Sequence, residues 1–168
     1  MKVDTEVHLN TSVSLKFKSM EIKIFYNSFI AKLLLLFSTC STIMLFGSVF
    51  TKESELNNEE KTHESIHVVQ YLECFILGTL LLFVLLYLGA SIWFILLPII
   101  CYYILYLMEW LVSFIHHLFS KRKKDFVKAN GKAYWSSAME MEAYDNQNNP
   151  LYLKTRKFFA FVRYYGKI

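Results

Sequence analysis

His63 and His67 bracket a glutamate in Thr62-His63-Glu64-Ser65-Ile66-His67, an H-E-x-x-H pattern. On an α-helix, residues i and i+4 project from one face a turn apart, so both imidazoles can hold one Zn²⁺ at about 2.0–2.1 Å. Glu64 then stands beside the ion, where it can take a proton from water, the general-base role of metalloproteases. A catalytic zinc keeps three protein ligands and one open position. His116, His117, Glu140 and Glu142 are the candidates for the third ligand. The plainer reading of the pattern is an interfacial helix carrying two incidental histidines.

The pattern needs a helix, and the flanking residues supply one. Asn57 is a good N-cap, Glu59 and Glu60 occupy the first turn, and neither Gly nor Pro occurs from Asn57 to Leu77. The helix runs into 35 consecutive uncharged residues, Cys74 to Met108. That is too long for one upright span of about 20 residues, and with its flanks it makes two. Residues 61–88 and 91–119 are expected to form a helical hairpin turning at Leu88-Gly89-Ala90-Ser91, with Pro98 kinking the second helix. Two spans return the chain to the side it left. His63 and His67 then share a compartment with everything after Lys121, and Glu140 or Glu142 can reach them. His116 and His117 come back to nearly the same level.

Other segments read more locally. Residues 29–37 look helical, whereas Thr42 to Thr51, rich in Thr and in β-branched and aromatic residues, favours a strand or hairpin with Gly47 at the bend. Ala138 to Tyr144 reads as a short helix with Glu140 and Glu142 near its start. Asp145 to Pro150 reads as a turn, with Asn149 as N-cap and Pro150 at the first helical position of an amphipathic helix over 150–164.

Composition fits a membrane chain. Of 168 residues, 55% are apolar, 17% aromatic and 19% charged, with 5 Gly and 2 Pro. This excludes a disordered, collagen-like or disulfide-framed chain. Residues 1–62 are neutral overall, 63–110 carry only Glu64, Glu73 and Glu109, and 111–168 carry a net +7. The run Lys121-Arg122-Lys123-Lys124 after the second apolar helix predicts, by the positive-inside rule, that the site and the basic C-terminal segment face the cytoplasm. Anionic headgroups account for that run, so membrane lipid and no nucleic acid is the expected partner. Cys40, Cys74 and Cys101 lie in apolar surroundings without CxxC spacing and are expected to be free thiols. The first 20 residues are largely polar and lack a signal-peptide layout.

The string His63-Glu64-Ser65-Ile66-His67-Val68-Val69-Gln70-Tyr71-Leu72-Glu73 resembles the H-E-x-I-H-x-x-Q-x-x-E stretch of a family of small membrane zinc metallopeptidases of bacteria and their phages. The resemblance extends to Leu45-Phe46-Gly47-Ser48-Val49-Phe50-Thr51 and to Tyr106-Leu107-Met108-Glu109-Trp110-Leu111. It closes on Glu140-Met141-Glu142-Ala143-Tyr144 and Tyr152-Leu153-Lys154-Thr155-Arg156-Lys157, similar to that family's E-x-E-A-Y and Y-L-x-x-R-K blocks. It covers about residues 42–165, with Met141 and Arg163 departing from the usual Arg and Lys. The resemblance implies a gluzincin-like site of two His and one Glu. It favours Glu140, with Ala143 at i+3, over Glu142, and lets Tyr144 donate to a developing oxyanion or simply pack. Gln70 could orient a ligand, and Glu73 and Glu109 could support the site near the membrane boundary.

The expected fold is mainly α, in one membrane-associated unit. Its parts are a polar segment and apolar helix (1–41), a strand-like segment (42–56), the H-E-x-x-H helix and membrane hairpin (57–119), and basic C-terminal helices (120–168). The expected activity is hydrolysis of a peptide or protein substrate by zinc-activated water. The alternative is a membrane-anchored zinc-binding accessory protein without turnover, whose fourth position is closed by His116, His117 or Glu142.

Overall fold

The computed structural model describes residues 22–36, 38, 40–119 and 126–167, so the basic run 121–124 lies outside the described residues. The fold is mainly α. Among the described residues there are six α-helices: α1 (Phe29–Leu34), α2 (Asn58–Tyr87), α3 (Leu97–Phe119), α4 (Phe126–Trp135), α5 (Ala138–Asn146) and α6 (Tyr152–Thr155). A three-stranded sheet is made by β1 (Ile24–Phe25), β2 (Thr42–Leu45) and β3 (Ser48–Thr51), in the order β1-β3-β2.

The long helix α2 begins at a full capping box: the Asn57 side chain accepts from Glu60 N–H, and the Glu60 carboxylate accepts from Asn57 N–H. The helix ends at Leu88, and Gly89, at φ +82°, makes the left-handed turn of the hairpin. The return begins as a 3₁₀ turn, Ile92–Leu96, and only then becomes α3. Pro98 therefore marks a change of winding rather than the expected kink inside an α-helix. It has no N–H to offer the Phe94 carbonyl, which accepts from Leu97 N–H instead, one residue short of α geometry.

The two helices meet closely at Gly78. A Cβ there would lie 2.8 Å from the Pro98 Cα and 3.0 Å from the Cys101 Cβ. A small residue at the crossing is what lets the backbones approach. Both α2 and the 92–119 segment are long and apolar enough to cross a membrane. Their outer faces expose Phe83, Leu80, Ile104, Leu107 and Val112, among others.

The segment before α2 is a hairpin, as its composition predicts. Phe46 and Gly47 both have positive φ (50° and 77°), the two-residue turn that suits strand twist. Tyr103 of α3 holds this turn, its hydroxyl 2.7 Å from Phe46 N. Behind the sheet, Met44, Val49, Val68, Tyr71, Tyr102 and Met139 form one buried cluster joining β2, β3, α2, α3 and α5. The three cysteines are free thiols.

The C-terminal segment departs from the expected single amphipathic helix over 150–164. Asn149 and Pro150 are not its N-cap and first residue: Leu151 takes the N-cap position without a side-chain cap, and Asn149 Oδ1 accepts from Leu151 N–H at 3.1 Å in the turn before it. The helix stops at Thr155, and a second short 3₁₀ turn covers Ala160–Tyr164. The break lies at Arg156, whose backbone turns extended as its side chain goes inward to Glu73 and Glu142.

Candidate metal centre

His63 and His67 stand one turn apart on α2, with their Nε2 atoms 3.1 Å apart and both rings buried. Glu140 comes from the first turn of α5, where Ser137 caps the helix and accepts from Glu140 N–H. Its Oε2 lies 3.5 Å from His63 Nε2 and its Oε1 3.5 Å from His67 Nε2. Ligands at about 2.0–2.1 Å from a tetrahedral zinc sit about 3.3–3.4 Å from one another, close to the separation of the two Nε2 atoms and of each from one of the Glu140 carboxylate oxygens. Among the described residues this is the group of three metal-capable side chains whose ligand atoms converge.

Two further observations support the fit. Glu140 Oε2 is buried without a hydrogen-bond partner. Burying an unpartnered carboxylate oxygen is costly, and a cation at the centre of the three atoms removes the deficit. The second observation is a fixed tautomer. Gln70 Nε2 donates to the Met139 carbonyl at 3.0 Å and to Glu142 Oε2 at 3.1 Å, which turns Gln70 Oε1 toward His67 Nδ1 at 2.8 Å. An acceptor at that place requires the proton on Nδ1, leaving the Nε2 lone pair directed at Glu140 and His63. Burial alone would raise the Glu140 carboxyl's pKa. Positive charge on His67 and His63, which a bound cation would replace, reverses this and holds it well below the usual carboxylate range.

The other candidates for the third ligand are placed elsewhere. His116 is exposed. His117 Nε2 is engaged with Ser136 Oγ at 2.8 Å. Glu142 is fully buried, but it is held by Arg156 Nη2 at 3.1 Å, Tyr152 OH at 2.9 Å and Gln70. It thus supports His67 through Gln70 without reaching the three-ligand cluster. Glu73 takes the other side of the Arg156 fork, with Nη2 at 3.0 Å from its Oε2, and also accepts from Phe159 N–H. Burial works against the Arg156 charge, and the two carboxylates outweigh it and hold the guanidinium protonated. Glu109 accepts from Met139 N–H at 3.1 Å and Tyr165 OH at 2.6 Å, tying α3 to the start of α5.

Glu64, His67 and Glu140 line one cavity of about 330 Å³. Thr42, Ile43, Met44 and Leu45 of β2 also line it, with Tyr102, Tyr103, Tyr106 and Tyr134. Four consecutive strand residues on one wall mean that the cavity lies along the edge of β2, because a sheet face would present alternate residues only. Tyr144 is not in that wall: its ring stacks on Trp135 at 4.2 Å and lies 4.5 Å from the His63 ring. Sequence reasoning missed the phenols. Tyr106 OH donates to Glu140 Oε1 at 2.8 Å, and Tyr102 OH lies 3.5 Å from His67 Nδ1. The available signal was the i, i+4 spacing of Tyr102 and Tyr106, with Tyr103 between them, in the closing part of the uncharged run. Arg156 was not singled out, because nothing local distinguishes it from Lys154 or Lys157.

The assembly can bind a cation, present it to a cavity through its open side, and place the Glu64 carboxylate on that cavity's wall. Comparison with known proteins finds no matching family model and no significantly similar curated protein or solved structure.

Proposed function

We propose that the chain is a small integral-membrane zinc metallopeptidase, with His63, His67 and Glu140 as metal ligands and Glu64 as general base. One observation carries this reading: His67 and Glu140, two of the three convergent ligands, border the same cavity as Glu64 of the H-E-x-x-H helix. A bound Zn²⁺ would supply Lewis acidity, polarising a peptide carbonyl and acidifying water. Glu64 would take the proton and later pass it to the leaving amine. Tyr134, in the cavity wall, is better placed than Tyr144 to donate a hydrogen bond to the carbonyl oxygen of a bound peptide.

The strand β2 would seat that peptide. It pairs with β3 alone, and Thr42 and Met44 fall in the pairs that exchange no ladder hydrogen bonds, since the two-residue turn makes Leu45 and Ser48 a bonded pair. Their N–H and C=O groups point to the open edge, where an extended peptide can add as a strand.

Helix lengths support a place at a membrane boundary. His67 lies 20 residues before the end of α2, roughly 30 Å along its axis and so one hydrocarbon thickness from the hairpin tip. Along the return, the 3₁₀ turn and the first 13 residues of α3 cover about the same 30 Å and end near Glu109 and Trp110. The basic run 121–124 assigns this boundary to the cytoplasmic side.

The test is metal content beside turnover in detergent-purified protein. Glu64→Gln should keep one zinc and lose hydrolysis of a peptide substrate, whereas His67→Ala should lose the zinc. One equivalent of zinc persisting in His67→Ala would sink the site assignment. Zinc bound by wild type with no hydrolysis of any peptide offered would favour the accessory-protein reading.

A further inference from the structure

A surface outside the hairpin has the character of a membrane-contacting face. Helix α1 is apolar all round except for Lys32, yet only its inner side is covered, where Ala31 and the following Leu35 are buried. Phe29, Leu33, Leu34 and Leu36 are exposed by 76%, 60%, 55% and 65%. At the tip of the β2–β3 hairpin, Phe46 is exposed by 63%. A helix that is apolar all round is found buried or in lipid. Phe46 adjoins the apolar belt of the helical hairpin: its ring packs edge-on against Tyr103 at 5.7 Å, on the helix that exposes Ile100, Ile104 and Leu107. Tyr103 lies seven residues before Trp110 on α3, hence about 10 Å inside the boundary proposed above. Interfacial elements bury their apolar faces about 5–10 Å deep.

We propose that α1 and the tip of the β2–β3 hairpin are seated in the lipid bilayer, forming a membrane-inserted lip on the metal centre's cavity. The proposal rests on the membrane placement of the hairpin. The occupant is lipid because Phe46, packed on Tyr103, continues the exposed apolar surface of α3, and α1 is tied to the other end of the same β2–β3 hairpin through Ser28 N–H and the Thr51 carbonyl. Leu35 and Leu45, where these two elements turn inward, line the cavity. The cavity therefore opens at the lipid boundary, suited to a peptide segment already in that leaflet.

The experiment uses the full chain in phosphatidylcholine–phosphatidylglycerol vesicles that carry nitroxide lipids labelled near the headgroup. Single cysteines are introduced as Phe29→Cys, Leu33→Cys and Phe46→Cys on a Cys40→Ser background and tagged with an environment-sensitive fluorophore. Ile104→Cys serves as the belt control and Glu55→Cys, on an exposed loop, as the water control. The expected result is loss of fluorescence to nitroxide lipid as large as at position 104, with shielding from aqueous iodide, at all three sites. Quenching by iodide as at position 55 would overturn the proposal. Shielding from both quenchers would overturn it too, by showing that residues 1–21 or a second copy cover the face. If position 104 itself escapes nitroxide lipid, the membrane placement fails and the lip fails with it. If 104 is quenched and the three sites are not, the lip alone fails. Three separate positions keep the result readable should one variant misfold.

Discussion

At the residue scale the metal centre depends on groups that never touch the metal. Gln70 has its amide nitrogen committed to Met139 and Glu142, so its oxygen faces His67 and sets the tautomer. Replacing Gln70 with Leu keeps the bulk and removes that constraint. Losing such a support of a ligating histidine typically weakens metal binding about 10–100-fold, which competition with a chromophoric zinc chelator would read. Arg156 acts one step further out, with its guanidinium shared between Glu73 and Glu142, all three side chains no more than 3% exposed. Arg156→Met leaves two buried carboxylates without their cation. Breaking a buried pair this way costs about 3–5 kcal/mol, measurable as a drop in the unfolding midpoint in detergent. Arg156→Lys should recover only part of it, because an ammonium has three donors and lacks the planar fork that meets both carboxylates here.

At the element scale the site is an intersection: α2 brings two ligands, α5 the third, and β2 the wall. The elements with a local cause were readable in advance. Asn57 and the Gly-free run after it specified α2, the uncharged run specified the hairpin, and the β-branched and aromatic residues around Gly47 specified β2 and β3. What stayed hidden depends on partners distant in sequence. Arg156 breaks the last helix because Glu73, 83 residues away, receives it. Tyr106 matters because α5 delivers Glu140 to it. The choice of Glu140 over Glu142 likewise needed either a family pattern or the packing of α5. Gly78 offers the sharpest test of the intersection. Even Gly78→Ala sets a Cβ 2.8 Å from the Pro98 backbone, so the helices must separate. Overpacking of this kind costs about 1–3 kcal/mol. Because α3 also carries Tyr102 and Tyr106 against His67 and Glu140, the same variant should lower zinc affinity. Both effects can be measured on one preparation, by thermal unfolding and chelator competition.

At the scale of the whole molecule, a bound metal would not be the only tie between the hairpin and the C-terminal half. Glu109 holds the start of α5 and Tyr165, and Arg156 joins the last segment to both α2 and α5. The cluster of Met44, Val68, Tyr102, Met139 and Phe161 packs the same elements together without any polar contribution. A structural zinc supplies folding energy outright, and its removal unfolds the chain. A catalytic one sits on a scaffold that stands without it. The redundancy of these ties points to the second case. Stripping the ion with a chelator should therefore leave the far-ultraviolet helical signal unchanged. It should still lower the unfolding midpoint, because a ligand held at 100 times its dissociation constant stabilises the native state by about 2.7 kcal/mol. The Glu140→Gln variant should show the low midpoint with or without added zinc, since it lacks the one anionic ligand of the three. Collapse of the helical signal on chelation would instead mean that the ion holds α5 in place, and the centre would then be structural rather than hydrolytic.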